Sequence, residues 1–402
     1  MYCQKLLRSK TLLTSFLFFL TLSFIVPSVH AESSMAASKR QLKKWKPYYK
    51  ALLLADANTG RIIYADNEWN RIYPASVVKM MVGLLTMEAL QEGKIKLTDK
   101  VKVSRWASKI GGRQVYLKEG EVFELEELIK AMAISSANDA TVAIAEHISG
   151  SQRNFVRRMN ERARQLKLTQ THFKTPHGLP PGRKQEYDVS TTHDLFVLAE
   201  ELLKHPGYLK WSSTQLDSFR NGTYQLLNTN RPLMRRYRGM DGLKTGYHRK
   251  AGFNLVATAK REDTRLISIV MGAPNTRWRS KITEVLMDMG FDNHEKKKLG
   301  GKGDLLERTL PVANGTDQEL KLQLGDDVYA LLSDEEYKRI GIRYQLPPEV
   351  VAPVAIGSTI GRVEFWLDEK MLKSVSIQAQ HGIEEPSLLE SLTNSLKLWT
   401  GR

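Results

Sequence analysis

Ser76 and Lys79 stand one helical turn apart in Pro74-Ala75-Ser76-Val77-Val78-Lys79-Met80, at the head of an apolar run. Residues three apart share a helix face. A hydroxyl and an amine therefore meet where the helix dipole favours a developing negative charge. A charged lysine among Val77, Val78, Met80 and Met81 is costly. Burial lowers its pKa, and the neutral amine can then take the serine proton. The chain holds a single S-x-x-K, although so short a match also describes a helix cap followed by a solvated lysine. Two more clusters bear on it. Ser135-Ser136-Ala137-Asn138-Asp139 falls between two expected helices. There Ser136 offers a hydroxyl able to relay a proton, and Asn138 an amide that both donates to and accepts from a peptide; both types also serve as helix caps. Lys244-Thr245-Gly246 falls on an expected strand. A cation and a hydroxyl can grip a carboxylate, and a glycine lets a ligand lie against the backbone. The alternative is an edge-strand lysine beside a turn.

Those side chains need elements to hold them. The turn cluster Asp56-Ala57-Asn58-Thr59-Gly60, between apolar stretches Ala51 to Ala55 and Arg61 to Ala65, predicts a hairpin. From Ser76 to Leu90, Val77, Met80, Met81, Leu84, Leu85 and Met87 recur mostly at three and four, and Gly93 closes the helix. Further helices are expected over Glu124 to Ala133, Ala140 to Ile148 and Thr192 to Leu203. Gly242 to Tyr247, Phe253 to Ala259 and Leu266 to Gly272 predict a three-stranded antiparallel meander. Strands first and last with helices between make an α+β plan, one antiparallel sheet flanked by helices. This catalytic unit spans 47–298, after a polar linker over 32–46. Lys296-Lys297-Lys298 and Gly300-Gly301-Lys302-Gly303 read as a second linker. Beyond it, Glu319 to Leu324, Val328 to Leu332, Ile342 to Leu346, Arg362 to Leu367 and Ser374 to Ala379 predict a small all-β, sandwich-like domain over 304–383. In the tail, 386–402, Leu388, Leu389, Leu392, Leu396 and Trp399 share one helical face, suited to a membrane surface or to docking on the chain's own domain.

In this order, and in helix, loop and strand contexts, the three motifs resemble the serine acyl-transferase set of penicillin-binding proteins and class A β-lactamases. The chain is identified as a member of the low-molecular-mass penicillin-binding proteins of the D-alanyl-D-alanine carboxypeptidase type. The likeness also rests on Thr171-His172-Phe173, His177-Gly178-Leu179, Asp241-Gly242-Leu243 ahead of Lys244, and Ala251-Gly252-Phe253-Asn254-Leu255-Val256. It implies a β-lactamase/transpeptidase-like catalytic fold with Ser76 as nucleophile, Lys79 as general base, and Ser136 and Asn138 as relay and clamp. Lys244 and Thr245 would hold the terminal carboxylate, beside Gly246, and the N–H groups of Ser76 and Tyr247 would form the oxyanion hole. The implied substrate is the stem peptide of peptidoglycan, which loses its terminal D-alanine through an acyl-enzyme; β-lactams would be covalent inhibitors. No cofactor is implied. In many relatives a threonine stands two places after the glycine of the third motif, where this chain has His248.

Of 402 residues, 60 are Lys or Arg and 44 are Asp or Glu, a net +16 that fits nucleic acid, anionic membrane or another polyanion. The first 31 residues narrow that choice. Lys5, Arg8 and Lys10 precede a 16-residue, mostly apolar run, and Val29-His30-Ala31 ends it, the pattern of a cleaved signal peptide. The run is short of the roughly 20 residues that span a bilayer. Work outside the cytoplasmic membrane follows, in the periplasm or its equivalent, and nucleic acid drops out as a partner. The single cysteine, Cys3, falls in this leader, so the mature chain has no thiol chemistry. His172 and His177 are five apart and H-E-x-x-H is absent, so no metal site is expected. A D,D-endopeptidase uses the same residues. A class A β-lactamase would need E-x-x-x-N between Gln165 and Tyr187, which is missing. An inactive wall-binding module is disfavoured because every motif residue is intact.

Overall fold

The computed structural model describes residues 34–182 and 185–387; the expected leader at 1–31 and the tail from 388 lie outside the described residues. Strand β1 (Ala51–Asp56) is buried at every position. Its side chains alternate between faces: Ala51, Leu53 and Ala55 enter one core, Leu52 and Leu54 a second. β2 (Ile62–Asp66) returns along it through a turn in which the Asp56 carboxylate accepts from the Asn58 N–H and the Thr59 hydroxyl. β3 (Met240–His248), β4 (Gly252–Arg261) and β5 (Thr264–Ala273) form the expected meander. The sheet runs β2-β1-β5-β4-β3 and every pair is antiparallel. β3, which carries Lys244, is thus an edge strand.

One face of the sheet packs on α1 (Ser34–Lys44) and α7 (Thr276–Phe291). The expected linker over 32–46 is corrected here. Met35, Leu42 and Trp45 lie on one helical stripe and pack into the second core, while the lysines and Arg40 point elsewhere; a short apolar stripe is enough when a sheet face waits for it. The other face carries α2 (Lys79–Gln91), α3 (Leu125–Ser135), α4 (Asn138–Ser149), α5 (Gln152–Gln165) and α6 (Thr192–Leu203) around the larger core.

The second expected linker is also corrected. Glu295–Gly300 is a strand paired antiparallel with Val328–Leu332. Lys296, Lys297 and Lys298 bridge to Asp263, Asp334 and Asp327, and Leu299 packs on the neighbouring core, so the lysine run has specific partners. A six-stranded sheet follows in the order Ile340–Gln345, Thr359–Leu367, Lys370–Ala379, Glu319–Leu324, Leu305–Ala313, Val350–Val351. The architecture is α+β with a C-terminal all-β domain. Arg61, at the start of β2, reaches it: its guanidinium donates to Glu336 at 2.8 Å and to the Leu331 carbonyl at 2.7 Å.

Candidate active site

The first motif opens as a short 3-10 turn, Ala75–Val78, that runs into α2. Ala75 takes a left-handed φ of +51°, which turns the chain so that Ser76 faces the edge of β3. Two glycines make that approach possible. A Cβ on Gly246 would lie 2.5 Å from the Pro74 carbonyl and 3.1 Å from the Ser76 nitrogen; one on Gly178, at φ +75°, would lie 2.1 Å from the Ala75 carbonyl. Asn254, paired with Gly246 in the sheet, donates to the carbonyls of Tyr73 and Pro74 and accepts from the Gly272 N–H.

Lys79 is fully buried. Its Nζ lies 3.1 Å from Ser76 Oγ, 2.6 Å from Asn138 Oδ1, 3.1 Å from the Ser136 carbonyl, 3.4 Å from Ser136 Oγ and 3.3 Å from the His177 carbonyl. Asn138 Oδ1 and the two carbonyls can only accept; the hydroxyls can also donate. This shell holds the amine against Ser76 Oγ. Burial, then the Lys244 charge, push Lys79 well below the usual lysine range, against the opposing pull of Asp139.

Ser136 occupies the left-handed C-cap of α3 at φ +61°, and Asn138 begins α4, so the second motif is the sharp corner between two helices. Asn138 is locked: its Nδ2 donates to the Gly111 carbonyl at 2.7 Å and its N–H to the Arg113 carbonyl at 2.8 Å. Asp139 fixes the same loop by accepting from the N–H groups of Val115 and Leu117.

On β3, Lys244 is buried and donates to the Thr245 carbonyl at 3.0 Å. Burial, with repulsion from Arg113 and Arg279, pushes it down to about 7. The Thr245 hydroxyl donates to Thr229 Oγ1 at 2.6 Å. Tyr247 is exposed and packs on Phe253. The eight residues named from the sequence therefore occupy the three segments that meet at the head of α2.

Sequence reasoning missed one contributor. Arg279, on α7, is buried, and its Nε has no hydrogen-bond partner among the described residues; burial first, then Arg236, push it down to about 10. Its charge acts on Lys244 across the sheet, yet its sequence context, Thr276-Arg277-Trp278-Arg279, reads as a solvated helix start. Thr229 orients Thr245. The His177 carbonyl accepts from Lys79 and from the Ser76 hydroxyl, at 3.4 Å for the latter, so the turn at His177-Gly178 is part of the site through its backbone. The His177 ring, pushed down to about 3 by burial and then by Lys79, stays neutral and accepts from the Leu179 N–H. His248 is buried: its Nδ1 accepts from the Ala251 N–H at 3.0 Å, closing the β3-β4 hairpin. Among the described residues no group of three or more His, Cys, Asp or Glu could hold a metal ion.

Residues 40–275 match the family described as D-alanyl-D-alanine carboxypeptidase, and residues 294–385 match the penicillin-binding protein 5 C-terminal domain. The chain is 34% identical over 355 residues to D-alanyl-D-alanine carboxypeptidase DacF of Bacillus subtilis, covering 87% of this chain and 90% of that one. Among solved structures it resembles penicillin-binding protein 5 of Haemophilus influenzae, at 32% identity and a TM-score of 0.71 over 84% of this chain and 98% of that one. Penicillin-binding protein D2 of Listeria monocytogenes, in its ampicillin-bound form, is similar at 31% identity and a TM-score of 0.55, over 60% of this chain and 97% of that one.

Proposed function

The chain belongs to the D-alanyl-D-alanine carboxypeptidase family, as a serine-type, penicillin-binding enzyme of the cell wall, and from that premise we propose how its own residues carry the reaction. The neutral Lys79 amine takes the Ser76 proton as Oγ attacks the carbonyl of the penultimate D-alanine. The carbonyl oxygen becomes an oxyanion held by the N–H groups of Ser76 and Tyr247; Gly246, with no Cβ to fill the space 3.1 Å from the Ser76 nitrogen, lets strand and turn come close. The proton on Lys79 passes by way of Ser136 to the departing amine, the C–N bond breaks, and D-alanine leaves. Water, deprotonated at Lys79, then splits the Ser76 ester and restores the hydroxyl. Asn138 orients the peptide and Lys79 together. Lys244 and Thr245 hold the terminal carboxylate, with Arg279 supplying positive potential behind them. A β-lactam presents the same carbonyl and carboxylate and acylates the same oxygen.

The observation that carries this reading is the buried amine of Lys79 at 3.1 Å from Ser76 Oγ, inside a shell of acceptors. We propose further that the protein works outside the cytoplasmic membrane, which the leader pattern of residues 1–31 supports, and that the stripe from Leu388 to Trp399 contacts the membrane surface. Among the described residues, no helix is long and apolar enough to cross a membrane. Mass spectrometry of a muropeptide digest tests the specificity. Loss of one alanine from pentapeptides is the expected result; cleavage of cross-links with pentapeptides left intact would contradict it.

A further inference from the structure

Beside the cleft lies a cavity of about 560 Å³ lined by Arg71, Tyr73, His172, Glu186, Tyr187 and Val189. Its volume is that of a small-molecule site. Its walls are tied together. Ile72 and Ser190 exchange backbone hydrogen bonds, as do His172 and Val189. The Asp188 carboxylate accepts from the N–H groups of Lys174 and Thr175. The Tyr73 and Tyr187 rings meet at 4.7 Å, and the buried His248 ring backs both, at 6.3 and 5.4 Å. Lys250 Nζ sits over the same two rings, at 5.1 and 4.8 Å. The residue that departs from the common pattern of the third motif thus builds this wall.

The charge of the cavity is positive. Glu186 is neutralised by Lys174 at 2.6 Å, and burial followed by the Lys174 charge holds His172 below its usual range. Arg71 is exposed and makes no ion pair among the described residues. A planar, unpaired guanidinium beside aromatic faces is suited to a carboxylate on a chain that lies across the rings.

We propose that this cavity is a subsite for a carboxylate in the upstream part of the stem peptide, with Arg71 as its anchor. The inference rests on the functional reading above. Along β3, Lys244 takes the C-terminal carboxylate at one end, and His248 lies four residues farther on, about 13 Å at strand spacing. A peptide running along this edge leads its acyl side toward the His248 end. Arg71 is five residues before Ser76, at most about 18 Å along extended chain, and carboxylates two or three residues upstream of the attacked carbonyl lie about 7–11 Å from it. The arginine side chain spans the remainder.

The test compares two peptides ending in D-alanyl-D-alanine, one with a free upstream carboxylate and one with that group amidated, on wild type, Arg71→Ala and Arg71→Lys. Arg71→Ala should lose roughly tenfold in kcat/KM on the free-carboxylate peptide and less than about twofold on the amidated one. Arg71→Lys should recover part of the loss, and the rate of penicillin labelling should be unchanged in all three. Equal losses on both peptides, or no loss on either, would overturn the subsite while leaving the carboxypeptidase reading intact. Wild-type protein that labels with penicillin but releases D-alanine from neither peptide would overturn both.

Discussion

Replacing Lys79 with methionine keeps the volume at the base of Ser76 and removes the amine that lies 3.1 Å from its Oγ. The rate of penicillin acylation should fall by about 10²–10⁴, the usual contribution of a positioned base, while circular dichroism remains that of the folded protein. Labelling at the wild-type rate would remove Lys79 from the mechanism. The two lysines also set opposite pH limbs. Lys79 must be neutral, so kcat/KM falls as pH drops through its lowered pKa. Lys244 must be charged, and in the free enzyme it loses its proton near about 7, so KM should rise as pH climbs above neutrality. A bound carboxylate favours the charged form and moves that limb upward in the complex. A substrate esterified at its C-terminus should lack the alkaline limb; an identical limb with the ester would mean that Lys244 does not hold the carboxylate. At this scale the reactive set was legible because a lysine in an apolar helix needs a chemical or structural reason. Arg279 was not legible, since only the packing of α7 under the sheet turns an arginine at a polar helix start into a buried cation.

The elements matter through how closely they approach. Gly246→Ala would push a methyl group against the Pro74 carbonyl, and the strand and the nucleophile turn must part to admit it. Penicillin acylation and peptide turnover should both fall at least tenfold, with little change in the thermal midpoint because the edge of β3 can shift outward. Normal turnover in this variant would mean that Ser76 is not held by the strand. Asn254→Ala removes two donors from the Tyr73 and Pro74 carbonyls and an acceptor from Gly272, so it should cost about 1–3 kcal/mol in urea unfolding as well as activity. The meander and the hairpin were legible because their alternation and turns are local signals. α5 was not: its buried face is only Phe155, Met159 and Ala163, set in a segment rich in arginine, and α1 has a similarly sparse stripe. In both cases the neighbouring core, which no window of sequence displays, decides the structure.

Over the whole molecule, the catalytic unit and the β domain are joined at Arg61, whose guanidinium bridges Glu336 and the Leu331 carbonyl with 6% of its side chain exposed. Arg61→Ala should lower unfolding stability by about 1–3 kcal/mol and leave the penicillin labelling rate within about twofold, because the bridge lies at the start of β2, across the sheet from β3. A large loss of labelling would mean that the β domain shapes the cleft. The two-domain plan was legible in the change of composition, but the boundary was not, since the lysine run at 296–298 reads as solvated until Asp263, Asp327 and Asp334 are brought opposite it. The most direct test of the account is the mass of the intact protein after incubation with penicillin, followed by mapping of the adduct. One added penicilloyl group on the peptide containing Ser76, absent from Ser76→Ala, is the result it predicts; no adduct on the wild type, or an adduct that persists in Ser76→Ala, would contradict it.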